Sequence, residues 1–123
     1  MPRLAVCSWS LQPAGPVDLA DKVRRCEVDS IQLALDPIRT GEWDEGETVR
    51  ALGGLSVISG MMGTKGEDYS TLETIKATGG VRPDETWGEN LEAAKANADL
   101  AGRLGLSLVT LHAGFLPHDP TDG

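Results

Sequence analysis

Short apolar runs alternate along this sequence with longer segments in which apolar residues recur every three or four positions. Apolar runs of about 4–8 residues are typical of buried strands, and the longer periodic segments are typical of helices with one buried face. Nearly continuous apolar strands separated by helices indicate parallel strands covered on both faces. The sequence therefore predicts an α/β fold in the order βαβαβαβ, with strands at residues 4–9, 30–35, 55–59 and 106–111 and helices at residues 18–25, 44–52 and 86–104.

The clearest helix signals precede the fourth strand. Thr86 and Glu89 fit a capping box, in which each side chain binds the backbone amide of the other residue. Trp43 and Trp87 lie at helix starts and are expected to pack against the sheet. Residues 64–83 show no periodicity, and an irregular stretch that long is usually functional or disordered. The apolar face of the last helix is predicted at Trp87, Leu91, Ala94, Ala98, Ala101 and Leu104.

Composition narrows the class of protein. A chain of 123 residues that is 40% hydrophobic and 24% charged is typical of one soluble globular domain, which we expect to span residues 1–123. A net charge of −8 argues against a general binder of nucleic-acid backbones. No apolar run approaches the ~18–20 residues that cross a bilayer, and the N-terminus is a poor signal peptide, so a cytoplasmic protein is expected. Cys7 and Cys26 lack a CxxC spacing, and both are expected to be small buried thiols.

Functional residues of parallel α/β folds gather just past the carboxyl ends of the strands. No GxGxxG or GxxxxGK[ST] pattern occurs, so a dinucleotide or P-loop site has no support. The glycine-rich residues 60–66 contain Lys65 without Walker spacing, which leaves both a phosphate cradle and a flexible turn open. The strand-end positions hold Ser8, Trp9, Gln12, Asp36, residues 60–66, His112, Gly114 and His118.

His112 is the most informative single residue. Its imidazole can ligate a divalent metal or hydrogen-bond to a sugar hydroxyl, and a histidine that is hydrogen-bonded locally at a strand end is the alternative. Trp9 can stack on a sugar ring or belong to the core. Glu67 can bring a carboxylate over the site or belong to a charged surface loop, and His118 is expected in a solvent-side turn.

Several runs of the sequence resemble one known family. They are CSWSL at residues 7–11, IQLALDP at 31–37, SGMMG at 59–63 with GEDY at 66–69 and TGGVRPD at 78–84, and VTLHAGF at 109–115. Together they extend over nearly the whole chain. They resemble the N-terminal half of the sugar phosphate isomerases and epimerases, the xylose isomerase-like TIM barrels that also include the endonuclease IV type.

The resemblance implies a fold, an activity and a set of site residues. The fold would be the N-terminal half of a (β/α)8 barrel, of which a complete copy needs about 250 residues. The activity would be that of a sugar or sugar-phosphate isomerase or epimerase with a divalent metal ion. The substrate-binding residues would be Trp9, Met61, Glu67 and His112, and His112 would also bind the metal. In the family, the metal-binding and acid–base carboxylates come mostly from strands five to eight. No catalytic residue is therefore assigned, and the isolated chain is expected to be inactive.

Two other functions stay open. A non-enzymatic half-barrel would associate with a second copy or with a separate C-terminal half, because exposed sheet edges invite pairing. A small flavodoxin-like sheet would carry its own ligand site, although the phosphate-binding fingerprint is missing. The expected partners are a small-molecule sugar and further copies of the chain in a homo-oligomer, with no general nucleic-acid binding and no membrane.

Overall fold

The computed structural model describes residues 3–115, which form two compact units. The first unit comprises residues 3–62 and 94–110, and the second comprises residues 63–93 and 111–115. His118 lies outside the described residues. Among those residues, no helix is both long and apolar enough to cross a membrane.

The first unit contains the whole sheet. Its strands are β1 (Val6–Cys7), β2 (Ser30–Ala34), β3 (Ser56–Met61) and β4 (Val109–Thr110). Its helical elements are a 3-10 helix (Ser8–Leu11), α1 (Pro16–Arg25), α2 (Asp36–Arg39) and α3 (Glu45–Ala51). The second unit contains α4 (Leu72–Thr78), and α5 (Asp84–Arg103) begins in the second unit and ends in the first.

The four strands are parallel and pair in the order β1-β2-β3-β4, which confirms the predicted α/β fold of parallel βα units. Between β2 and β3, Ile31 pairs with Val57 but Gln32 pairs with Ser59, so Ile58 is an extra residue. A bulge of this kind changes which side chains of a strand share a face. Beyond the bulge, Met61 pairs with Ala34 on β2, and on its other side it pairs with Thr110 on β4.

The core of the first unit lies between the sheet and its helices. Leu19, Ala20 and Val23 of α1 are buried at the predicted spacing, and they cluster with Ile31 and Leu33 of β2. Each fully buried Leu, Ile or Val side chain stabilises the fold by about 1.5–3 kcal/mol. The other buried members of the cluster are Leu35, Ile38, Trp43, Leu52, Leu100 and Ala101.

Helix α1 begins before residue 18, where the sequence predicts its start. The N-cap is Gly15, and Asp18 lies in the first turn, where its carboxylate accepts the Ala14 N–H at 2.9 Å and pairs with Lys22 at 2.8 Å. A carboxylate in the first turn is also favourable to the helix dipole. The N-cap thus lies three residues before the predicted start of the helix.

Helix α5 corrects the predicted helix start and the predicted buried face. It begins at Asp84, so Thr86 and Glu89 do not form the expected capping box, and the Thr86 N–H is directed to the Pro83 carbonyl. Trp87 is exposed, whereas Asn90 and Asn97 are buried. The Asn90 side chain accepts the Lys65 N–H at 2.8 Å, and the Asn97 side chain donates to Asp36 at 3.0 Å. These hydrogen bonds favour the burial of the Asn90 amide and of Asn97 Nδ2, whereas Asn97 Oδ1 is buried without a hydrogen-bond partner among the described residues.

The long stretch predicted as irregular contains a helix. Helix α4 begins at a capping box of two threonines, in which the Thr71 hydroxyl accepts the Thr74 N–H and the Thr74 hydroxyl accepts the Thr71 N–H. The usual signature has Glu or Gln at the second position, so a search for that signature misses a threonine there.

The expectation that both cysteines are buried is wrong in part, because Cys26 is exposed at the end of α1 and Cys7 is half-buried.

Gly60 provides a test of the packing between β3 and the core. A Cβ atom at Gly60 would lie 2.6 Å from Cδ1 of Leu35, which is completely buried. Because overpacking a core costs about 1–3 kcal/mol, Gly60→Val should lower the free energy of unfolding by that amount in urea denaturation. The matched control is Gly102→Ala, whose added Cβ meets open space on α5 and should raise stability by up to ~1 kcal/mol. Equal stability of the two variants would contradict the packing described.

Candidate functional site

The four residues implied by the family resemblance lie in different units. Trp9 and Met61 belong to the first unit, and Glu67 and His112 belong to the second. Within the second unit, Glu67 and His112 are brought together, with 3.7 Å between Glu67 Oε1 and His112 Nδ1. The two residues are far apart in sequence, so their proximity is a property of the fold.

The backbone around His112 is held by the segment before α5. The Val81 N–H donates to the His112 carbonyl at 3.1 Å. One residue earlier, the Gly80 N–H donates to Oε1 of Glu67 at 2.8 Å. Two consecutive amides thus bind the backbone of one site residue and the side chain of the other.

Tyr69 completes a cluster of three ionisable side chains. Its hydroxyl lies 3.4 Å from His112 Nδ1. Glu67 is the most enclosed member, whereas Tyr69 and the His112 ring are well exposed. A protonated imidazole at this position would form an ion pair with Glu67, and a neutral one would take its proton position from the hydrogen bond with Tyr69.

The surroundings of Glu67 hold its carboxyl in the ionised form. Burial acts to raise the pKa of Glu67, but Thr64, the Gly80 N–H, the Tyr69 hydroxyl and the charge of His112 together lower that pKa below its usual value of 4.5. The Thr64 hydroxyl is buried and makes no hydrogen bond of standard geometry within the described residues. The Gly80 N–H, in contrast, donates directly to Glu67 Oε1 at 2.8 Å and so favours the ionised carboxylate. The pKa of Tyr69 is raised, first by its hydrogen bond to Glu67 and then by desolvation.

These three side chains line one cavity of about 470 Å³ in the second unit. Its polar side chains are Glu67, Tyr69 and His112, and its apolar side chains include Ile75 and Leu111. A cavity with a few convergent polar groups beside an apolar wall is typical of small-molecule sites. The remaining lining residues are Gly79, Gly80, Ala113, Gly114 and Phe115.

The two predicted residues of the first unit lie in different surroundings. Trp9, in the 3-10 helix after β1, is 41% exposed and does not belong to the core. Met61 takes part in a polar row across the sheet, where the Thr110 hydroxyl donates to Met61 Sδ at 3.0 Å and Gln32 Nε2 donates to Thr110 Oγ1 at 2.9 Å. Cys7 Sγ lies 3.7 Å from Gln32 Oε1 at the other end of this row.

Sequence reasoning missed Tyr69 and Gln32. Tyr69 directly follows the two carboxylates of residues 67 and 68 and is the single tyrosine of the chain, which is a signal that was available. Gln32 is a polar residue in the middle of an otherwise apolar strand. Such a residue needs hydrogen-bond partners, and its position alone could have singled it out.

A divalent metal does not fit the donors of this cluster by themselves. Such ions take several oxygen or imidazole ligands, and only Glu67 and His112 offer strong ones here. Among the residues that the structure describes, no group of three or more His, Cys, Asp or Glu side chains is placed to hold a metal. The assignment of His112 as a metal ligand stays a prediction.

Among solved structures, the chain is similar to the crystal structure of a xylose isomerase domain protein from Planctomyces limnophilus. The TM-score is 0.68 at 21% sequence identity, and the match covers 97% of this chain but 44% of the neighbour. The chain thus spans less than half the length of that protein. No family model matches the sequence, and no curated protein matches it. The likeness confirms the fold as half of a xylose isomerase-like TIM barrel.

The acid dependence of stability tests the surroundings of Glu67. Because the folded protein lowers the pKa of Glu67, ionised Glu67 stabilises the fold fully above pH 4.5, and this contribution is lost as the pH falls through the lower folded value. Glu67→Gln should lower the free energy of unfolding by about 1 kcal/mol at pH 6, through loss of a hydrogen bond to a charged group. The difference from wild type should shrink in acid.

Denaturation in urea between pH 6 and pH 3 measures this dependence. The exposed Glu42 of the first unit provides the control, and Glu42→Gln should leave the free energy of unfolding at pH 6 unchanged. A constant difference between wild type and Glu67→Gln across this range would contradict the description of Glu67.

Proposed function

We propose that Glu67, Tyr69 and His112 bind the hydroxyl groups of a small sugar, as one part of a site of the sugar isomerase or epimerase type. The observation that carries this proposal is the convergence of the three side chains on one cavity of about 470 Å³. This proposal adds Tyr69 to the sugar-binding residues that the family resemblance implies.

The three side chains suit the chemistry of a polyol. A sugar hydroxyl both donates and accepts, so it needs neighbours of both kinds. Ionised Glu67 only accepts hydrogen bonds, whereas Tyr69 and neutral His112 each do both. The apolar atoms of Ile75 and Leu111 provide a wall for the C–H groups of the ring.

Isomerisation and epimerisation both remove a proton next to a carbonyl group. This step needs a base with a pKa near the working pH, and an imidazole oriented by a carboxylate is a common one. In the proposed site, His112 would take the proton, and Glu67 would stabilise the resulting imidazolium across the 3.7 Å gap. A second group must polarise the carbonyl oxygen, and this cluster does not supply a cation for it. We therefore expect the chain to bind a sugar without turning it over.

Within the first unit, Trp9 and Met61 are proposed as sugar-contacting residues in their own right. The exposed indole of Trp9 offers a flat apolar face of the kind on which sugar rings stack. The fold supports the isomerase class, because the neighbour of known structure is described as a xylose isomerase domain protein. Isomerase activity would belong to a protein that also contains the other half of such a barrel.

Sugar binding should depend on the cluster residue by residue. Titration calorimetry with D-xylose and D-fructose should show binding to the wild type. His112→Ala should weaken it about tenfold, the equivalent of ~1.4 kcal/mol, and Tyr69→Phe should weaken it less, because the phenyl ring keeps its place.

Leu72→Ala is the matched control for this titration. Leu72 is 80% exposed on α4 of the same unit and does not line the cavity, so its loss should leave the affinity unchanged. Absence of binding by the wild type, or equal weakening by all three variants, would rule out the proposed site.

A second candidate function is self-association through the sheet of the first unit. Ile58 on β3 is 43% exposed, and Leu108, directly before β4, is 55% exposed. Val109 packs toward the core, so by strand alternation Leu108 faces the other side of the sheet. Exposed apolar residues on a sheet with unpaired edges favour burial against another sheet. We propose a second copy of this chain as the occupant.

Light scattering measures this association directly. The wild type should have the mass of two copies at micromolar concentration, and Leu108→Lys should shift it toward one. Val17→Lys is the control, because Val17 is similarly exposed, at 56%, but lies on α1. A monodisperse monomer of the wild type, or equal loss of mass by both variants, would rule out association through this face.

A further inference from the structure

Two backbone segments of the second unit lie directly against each other. Residues 79–82 precede α5, and residues 112–115 follow β4. Besides the Val81–His112 hydrogen bond, Arg82 Nη1 donates to the Phe115 carbonyl at 2.7 Å. Lys76 Nζ lies 5.7 Å from the centre of the Phe115 ring, which adds a weak cation–π attraction at the same end.

The approach of the two segments is closest at a pair of glycines. A Cβ atom at Gly80 would lie 2.2 Å from the Gly114 nitrogen and 2.4 Å from its Cα. A Cβ atom at Gly114 would lie 2.6 Å from the Gly79 carbonyl oxygen. These neighbours are backbone atoms, which do not yield as the end of a flexible side chain does. Each segment therefore requires glycine in the other.

Both glycines also have backbone angles that favour glycine. Their φ angles are +74° at Gly80 and +109° at Gly114. Gly54 has a similar φ of +88°, but a Cβ there would meet open space. Gly80 therefore differs from an ordinary turn glycine, because its side-chain position is filled by another part of the chain.

The same contact between the two segments holds both Glu67 and His112. The Gly80 N–H holds Glu67 Oε1 at 2.8 Å, and Gly114 lies two residues after His112. A shift of the segments by 1 Å would change the 3.7 Å separation of Glu67 and His112 by a similar amount.

We propose that Gly80 and Gly114 are positioning residues, whose side-chain-free contact sets the geometry of Glu67 against His112. This inference rests on the proposed function for its role in sugar binding. The contact itself sets the relative position of two side chains whether or not a sugar binds.

Gly80→Ala tests the proposal, with Gly88→Ala as its matched control. Gly88 lies on α5 of the same unit, and a Cβ there meets open space. Two readouts are needed: sugar affinity by calorimetry, and the imidazole nitrogen resonances of His112 by NMR without sugar. Gly80→Ala should weaken sugar binding about tenfold and shift the His112 resonances. Gly88→Ala should change neither.

The two readouts separate failure of this proposal from failure of the proposed function. Wild type that binds no sugar would overturn the proposed function, while the His112 resonances would still decide the positioning role. His112 resonances of Gly80→Ala identical to those of wild type would overturn the positioning role.

A further variant retains Gly80 and covers the case in which Gly80→Ala does not fold. In Glu67→Gln, the Gly80 amide proton should move upfield and lose protection from solvent exchange, because it no longer binds a charged acceptor. The His112 resonances should shift with it. Unchanged Gly80 and His112 resonances in this variant would overturn the proposal.

Discussion

The candidate site depends on a backbone contact that leaves no room for a side chain. Where Gly80 meets Gly114, two segments approach so closely that a single added carbon would collide with main-chain atoms. The approach lets the Gly80 N–H reach Glu67 and the Val81 N–H reach the His112 carbonyl. A carboxylate and an imidazole that are distant in sequence thereby become neighbours, and Tyr69 joins them through its hydroxyl.

In the first unit, strand pairing brings distant residues together, as the Gly80–Gly114 contact does in the second unit. The strands β1 to β4 follow chain order, as successive βα units of a barrel do, and Met61 of β3 pairs with Thr110 of β4. The polar row of Cys7, Gln32, Thr110 and Met61 follows from that register. The row joins residues of all four strands through their side chains.

Much of the fold could be predicted from the sequence, because apolar periodicity reports burial directly. The strands around Ile31 and Leu33, the buried face of α1 and the parallel order all follow from it. The errors arose where polar groups decide the structure. Asn90 and Asn97 are buried and form side-chain hydrogen bonds with Lys65 and Asp36, whereas Trp87 on the same helix is exposed.

The candidate site was less predictable for a related reason. Family resemblance singled out Glu67 and His112, but spacing alone left each of them open between a functional and a structural role. Their proximity depends on two glycines whose requirement comes from steric contact with distant backbone, and a single sequence contains no sign of such a contact. Tyr69 was missed although it lies two residues after Glu67, because its hydroxyl reaches His112 only in the folded chain.

The most direct test of the account is a map of backbone amide shifts as a sugar is added to the 15N-labelled chain. With D-xylose or D-fructose, the largest shifts should fall on residues 67–69, 79–80 and 111–115, which surround the cavity of the second unit. The first unit holds a different cavity of about 320 Å³, lined mainly by apolar residues that include Leu33, Leu52 and Leu104. Shifts confined to that cavity, or scattered over the surface, would contradict the assignment of the site to Glu67, Tyr69 and His112.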